Sequence, residues 1–124
     1  MKVSVSKKRW GRGMTGGSLL GTTQRNKGKM CCLGFACRQL GIRASVMAGV
    51  GYPVTLFHRA LTARERTVLR QSPLLGGCYG TTMDSSLARR AALINDNAVL
   101  TDAARMTQLR ALFKRHGHQI VFVP

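Results

Sequence analysis

The sequence is short of acidic residues: four Asp and Glu stand against 20 Lys and Arg, a formal net charge of +16 over 124 residues. The shortage is uneven, because no acid precedes Glu65 whereas twelve basic residues do. A chain so positive repels copies of itself and attracts polyanions. We therefore expect DNA, RNA or an acidic protein as the partner, unless the excess charge does no more than keep the protein in solution.

Long apolar runs are also lacking. None approaches the roughly 20 residues of a membrane-spanning helix, and the basic start MKVSVSKKRW leads into no apolar region of signal-peptide length. We therefore expect a cytoplasmic protein with no membrane association. Since a reducing compartment disfavours disulfides, the four cysteines are interpreted as thiols.

The length and the apolar content bound the fold. With 44% hydrophobic residues and no internal repeat or linker, residues 1–124 are expected to form a single domain with one modest core. Alternating residues predict strands at both chain ends, KVSVS at the start and HQIVFVP at the end, with Ile120 and Phe122 facing one side. The prediction is an α+β fold in which three to four short helices pack on a small sheet formed in part by these terminal strands.

Helix boundaries follow from capping residues and glycines. One helix is predicted over about 30–40 and is closed by Gly41, and the last runs from the cap Thr101 to about His116. Two more are predicted between them, one capped by Thr62 and one beginning at Asp84 or Ser85 and ending near Asn95. A short strand is predicted over 54–57.

The segment GKMCCLGFACRQLG contains three of the four cysteines, and these three span only seven consecutive positions. On a helical wheel, apolar side chains including Cys32 and Cys37 cover about 200°, so the helix is expected to be enclosed on most sides and the thiols to fill the core. This interpretation involves no catalysis, no metal and no cofactor.

Two chemical alternatives remain open for the same segment. Cys31 or Cys32 in the first turn of a helix would favour a thiolate nucleophile, with His58 as the base. A small zinc module is the other alternative, although one helix cannot direct Cys31, Cys32 and Cys37 at a single ion. Its further ligands would come from Cys78 and the histidines.

The residues expected to contact a polyanion are basic and lie near the N-terminus. Trp10 lies among them and could stack on a base, or could instead anchor the core. The predicted binding residues are Lys7, Lys8, Arg9, Trp10, Arg12, Arg25, Lys27 and Lys29.

The segments WGRGMTGGSLLG, GKMCCLGFACRQLGI and INDNAVLTDAARMTQLRALFKRHGHQIVFVP resemble a group of short uncharacterised proteins encoded by tailed phages and prophages. In that group a glycine-containing loop and an LL step precede a CCLGF or CCLGV helix, and an IND segment precedes a helix that ends in HGH. The resemblance covers about half of the chain and carries no established activity. It implies a phage accessory protein in the bacterial cytoplasm, for which inhibition of a host or anti-phage immune complex is one function. The group's final helix is usually more acidic than here.

Overall fold

Two parallel strands bring the chain ends together. The computed structural model describes residues 1–13, 21, 28–51, 53–72, 74–75 and 87–124. Strand β1 (Lys2–Ser6) pairs with β2 (Gln119–Val123), and the register runs from the pair Lys2 and Gln119 to the pair Ser6 and Val123. Because parallel neighbours need a crossover connection, the helices between them cover this small sheet.

Each strand buries alternate residues, as a strand with one covered face must. Val3 and Val5 of β1 are 0% exposed, and Ile120 and Phe122 of β2 are 2% and 9% exposed. The predicted orientation of Ile120 and Phe122 is therefore confirmed, and so is the α+β class with a sheet made by the terminal strands.

The described residues contain five α-helices and one 3₁₀-helix. They are α1 (Cys32–Gln39), α2 (Ala44–Met47), the 3₁₀-helix (Pro53–His58), α3 (Ala63–Gln71), α4 (Leu87–Asp96) and α5 (Asp102–Arg115). The strand predicted over 54–57 is wrong, because this segment is helical. Pro53 suits a first helical position, since its fixed φ matches a helix and its missing N–H would have no helical partner there. No helix in the described part of the chain has the length and apolar character needed to cross a bilayer.

The predicted caps are confirmed where the structure describes them. The Thr62 side chain accepts a hydrogen bond from the Glu65 N–H and Glu65 reaches back to the Thr62 N–H, which is a reciprocal capping box at the start of α3. Thr101 accepts from the Ala104 N–H at the start of α5. Gly117 follows α5 with a φ of 76°, a left-handed conformation that glycine adopts without strain. The predicted start of α4 at Asp84 or Ser85 lies outside the described residues.

Helix α1 occupies the middle of the core and packs against β1 and α4, while α5 packs against α4 and β2. All residues from Cys32 to Cys37 are buried, so α1 has almost no solvent-facing side before Arg38. The interpretation of its cysteines as core residues is confirmed: Cys31 is 4% exposed, and Cys32 and Cys37 are 0% exposed.

One close backbone approach depends on a glycine. Gly21 forms an isolated parallel bridge with Ala48, just after α2. A Cβ atom at Gly21 would lie 2.3 Å from the carbonyl carbon of Met47 and 2.5 Å from the Ala48 nitrogen. Since Cβ atoms do not approach backbone atoms so closely, only glycine fits here.

Candidate functional site

Lysine and arginine side chains cluster where β1 ends. Residues 7–9 form a turn in which the Arg9 N–H donates to the Ser6 carbonyl oxygen at 3.1 Å, and the Lys7 N–H donates to the Val123 carbonyl at 2.8 Å. These two bonds hold the turn to the end of the sheet. The side chains of Lys7, Lys8 and Arg9 are all exposed.

A second backbone segment brings Lys29 to the same place. Trp10 and Met30 form a parallel bridge, in which the Met30 N–H donates to the Arg9 carbonyl and the Gly11 N–H donates to the Met30 carbonyl. Trp10 and Met30 are buried, whereas the residues one step earlier on the two segments, Arg9 and Lys29, are exposed. We call Lys7, Lys8, Arg9 and Lys29 the basic cluster. Two further predicted binding residues, Arg25 and Lys27, lie outside the described residues.

Trp10 belongs to the core and not to the cluster's surface. It is 1% exposed, its ring centroid lies 4.7 Å from that of Phe122, and its Nε1–H donates to Asn95 Oδ1 at 2.7 Å. A base cannot stack on a ring that is already covered, which corrects the expectation of base stacking and agrees with the alternative of a core anchor.

The Arg12 side chain is fixed by contacts within the protein. Its Nε and Nη2 atoms donate to the two carboxylate oxygens of Asp102 at 2.9 and 2.6 Å, and its guanidinium lies 5.1 Å from the centre of the Trp10 ring. These bonds raise the pKa of Arg12, and they are the main reason that the pKa of Asp102 is lowered. Because the Arg12 guanidinium is already bound by Asp102, we remove Arg12 from the residues expected to contact a polyanion.

Arg105 completes this arrangement from the other side of Asp102. It is 3% exposed, and its Nη1 donates to Asp102 Oδ1 at 2.7 Å. Its Nη2 donates to the carbonyl oxygens of Asn97 and Leu100, which ties α5 to the connection that precedes it. A buried guanidinium needs such charge-assisted partners.

Asn95, in the IND segment, is the polar centre of the core. It is 0% exposed, and its Oδ1 accepts from the Trp10 indole N–H and, at 3.2 Å, from the backbone N–H of Cys32. Its Nδ2 donates to the Gly11 carbonyl at 3.0 Å and to Asp96 Oδ1 at 3.1 Å. Asn95 therefore joins the three segments WGRG, CCLGF and IND.

Glu65 is another buried polar residue whose hydrogen bonds lie within the protein. It is 4% exposed and accepts hydrogen bonds from Arg43 Nη2 at 2.9 Å, from the Arg43 backbone N–H at 2.9 Å and from the Thr62 N–H. The Arg43 side chain is the main cause that lowers the pKa of Glu65 to about 2. The three described acidic side chains, Glu65, Asp96 and Asp102, thus all have partners within the protein.

The thiols are poorly placed for nucleophilic chemistry. Burial raises the pKa of Cys31 to about 12 and raises that of Cys32 well above its usual value. Both are free thiols, and both are protonated and shielded from solvent at neutral pH. His58 is exposed at the end of the 3₁₀-helix, and within the described residues no hydrogen bond joins it to either thiol. The arrangement offers no activated cysteine at Cys31 or Cys32.

No ligand set for a metal forms in the part of the chain that the structure describes, since no three His, Cys, Asp or Glu side chains converge there. His116 caps the C-terminus of α5, and His118 Nδ1 lies 3.2 Å from the Met1 ammonium nitrogen. Desolvation, followed by the nearby positive charge of the N-terminus, lowers the pKa of His118. Cys78, the fourth cysteine, lies outside the described residues.

Sequence reasoning missed the buried polar residues Asn95, Arg105 and Glu65. The signal for Asn95 was present, because it follows the apolar run AALI inside a helix and lies in a motif already singled out. Glu65 was visible as the third residue after a helix cap, but its partner Arg43 was not.

Comparisons with family models, curated proteins and solved structures find no match to this chain. The arguments about function therefore rest on the site itself.

Proposed function

We propose that this protein is a non-catalytic nucleic-acid-binding protein that contacts phosphates through the basic cluster of Lys7, Lys8, Arg9 and Lys29. The observation that carries the proposal is the placement of the acidic side chains. Each described one is engaged within the protein, and none pairs with a member of the cluster.

The cluster suits phosphates better than bases. Its side chains are long, flexible and exposed, and the neighbouring aromatic ring is buried. Such a surface binds the backbone with little regard to sequence, and its affinity falls steeply with salt because counterions are released. For duplex DNA, four phosphate contacts give a slope of about −3.6 in a plot of log K against log salt concentration.

The experiment is fluorescence anisotropy of labelled duplex DNA and single-stranded RNA over a salt series. The test variant carries Lys7→Ala, Lys8→Ala and Arg9→Ala, and the matched control carries Arg59→Ala, Arg64→Ala and Lys114→Ala. Both variants lose the same net charge, and all six side chains are exposed. We expect the cluster variant to lose at least about tenfold in affinity and to flatten the salt slope by about 2.7 on DNA, with much smaller changes in the control.

Equal losses in the two variants would mean that binding follows total charge and not this cluster. No binding to either nucleic acid at low salt would overturn the proposal. Recovery of a defined complex from host lysate that resists nuclease would then favour an acidic protein as the target, including the host or immune complex that a phage inhibitor would engage.

A further inference from the structure

A groove of about 410 Å³ lies between α4 and α5 and shares no residue with the basic cluster. The two helices are joined by residues 97–101 and pack against each other, so they form an antiparallel pair. The lining residues follow helical spacing on both sides. They are Arg90, Leu93 and Ile94 of α4, and Gln108, Ala111, Leu112 and Arg115 of α5.

The floor of the groove is apolar and open to solvent. Leu93 is 55% exposed, although it lies in the middle of a helix, and Ile94 beside it is only partly covered. Leu112 forms the buried part of the floor. An exposed leucine in a concave site offers apolar area that a partner side chain can cover.

Two arginines give the groove its charge. Arg90 lies one turn before Leu93 and Ile94, and Arg115 lies one turn after Ala111 and Leu112. Because the helices are antiparallel, both positions fall on the side away from the connection. None of the described residues that line the groove is acidic, and within that part of the chain neither arginine forms an ion pair.

We propose that this groove binds an acidic amphipathic helix of a partner protein, with its apolar side chains over Leu93 and its carboxylates on Arg90 and Arg115. An apolar floor cannot form hydrogen bonds or ion pairs with a phosphate backbone. None of the described lining side chains is aromatic, so bases have no ring to stack on and nucleic acid fits poorly. A second copy of this chain also fits poorly, because a net charge of +16 opposes self-association. An amphipathic helix binds such an apolar groove through side chains spaced i, i+3, i+4 and i+7.

The probe is a fluorescein-labelled helical peptide of about 15 residues, made of leucine, alanine and glutamate with leucines at that spacing. A companion peptide replaces every leucine with serine and keeps the glutamates. The protein variants are Leu93→Asp, with Val99→Asp as the control, and Arg90→Ala with Arg115→Ala, with Arg59→Ala and Arg64→Ala as the control. Val99 is 92% exposed and lies outside the groove, so the two aspartate variants make the same charge change.

We expect the leucine peptide to bind the wild-type protein, with each groove variant at least about tenfold weaker and each control within about twofold. The serine peptide should be weaker by about tenfold or more, because it keeps only the charge. The proposal is overturned if the leucine peptide does not bind, if the serine peptide binds as tightly, or if Leu93→Asp and Val99→Asp weaken binding equally.

The peptide experiment and the nucleic-acid experiment test the two proposals independently. Leu93→Asp should leave DNA affinity within about twofold of wild type, and the triple alanine variant of the basic cluster should leave peptide affinity equally unchanged. Either site can therefore fail while the other stands.

Discussion

Replacing Asn95 by alanine should destabilise the protein more than any exposed substitution. The change removes four side-chain hydrogen bonds at a fully buried position. Three of the groups left behind stay buried without a partner: the Trp10 indole N–H, the Cys32 backbone N–H and the Gly11 carbonyl. The fourth, the Asp96 carboxylate, is half-buried and can be solvated instead.

The magnitude follows from those three groups. A buried polar group without a partner costs about 1–3 kcal/mol, and small rearrangements recover part of the sum. We expect the free energy of unfolding to fall by about 3–5 kcal/mol, out of a total of about 5–15 kcal/mol for a domain of this kind. Because Cys32 is the first residue of α1 and Cys31 provides no side-chain cap, the loss should also loosen the start of that helix.

The assay is urea unfolding followed by far-UV circular dichroism and by tryptophan fluorescence. Trp10 is the sole tryptophan and donates directly to Asn95, so its fluorescence reports on this part of the core. The matched control is Asn97→Ala, because Asn97 is exposed and its side chain makes one hydrogen bond, from the Val99 N–H. A loss below about 1 kcal/mol in Asn95→Ala, or a loss equal to that of the control, would refute the reasoning.

An isosteric variant, Asn95→Asp, should make the loss of stability depend on pH. In Asn95→Asp, one oxygen still accepts from Trp10 and Cys32, while the other, when charged, faces the Gly11 carbonyl and Asp96. Burial and this repulsion raise the carboxyl's pKa in the folded state above its value in the unfolded chain. The deficit in stability relative to wild type should therefore be smallest at low pH and should grow as pH rises through the folded pKa. A deficit that does not change with pH would contradict this account.

Three further predictions concern other contacts. In Glu65→Gln, the loss of the charge-assisted bonds from Arg43 should lower stability by about 2 kcal/mol at pH 7. Since the pKa of Glu65 is lowered to about 2, the difference from wild type should shrink as pH falls from about 4.5 towards 2, and an equal difference at both ends would argue against the pair. In a Cys78→Ser background, Cys31 and Cys32 should not react with iodoacetamide at pH 7.4 until urea unfolds the chain. Rapid labelling of the native protein would instead support a role as nucleophiles. Gly21→Ala should cost about 1–3 kcal/mol because its Cβ would meet the Met47 backbone, whereas Gly51→Ala, where a Cβ meets nothing within 4 Å, should cost far less in the same unfolding assay.

The parts of the fold that the sequence predicts are those whose causes are local. The terminal strands follow from alternation, and α3 and α5 begin at Thr62 and Thr101 because a hydroxyl satisfies nearby backbone N–H groups. Prediction failed at 54–57, where a short strand was expected and the proline before it starts a helical turn instead. A short apolar segment fits either structure, and only the surrounding core decides.

The buried polar contacts have no local cause. Asn95 lies 85 residues from Trp10 and 63 from Cys32, and Arg12 lies 90 residues from Asp102. No periodicity links such positions, so their pairing can be found only once the helices are placed. The basic cluster was partly accessible from sequence: residues 7–9 are adjacent in the chain, but Lys29 joins them only through the bridge between Trp10 and Met30.

The same long-range contacts explain how the charge is distributed. Glu65 pairs with Arg43, and Asp102 is shared by Arg12 and Arg105, so the two carboxylates bind the three arginines that the fold itself uses. If the remaining positive charge served folding, carboxylates would be expected near it, since like charges on one small surface oppose the compact state. The described acidic side chains instead contact partners in or beside the core and at the helix starts. Like charge in excess opposes the compact state, and no described acidic side chain offsets it at the basic cluster or at the groove between α4 and α5, which is the physical reason to look there for anionic partners.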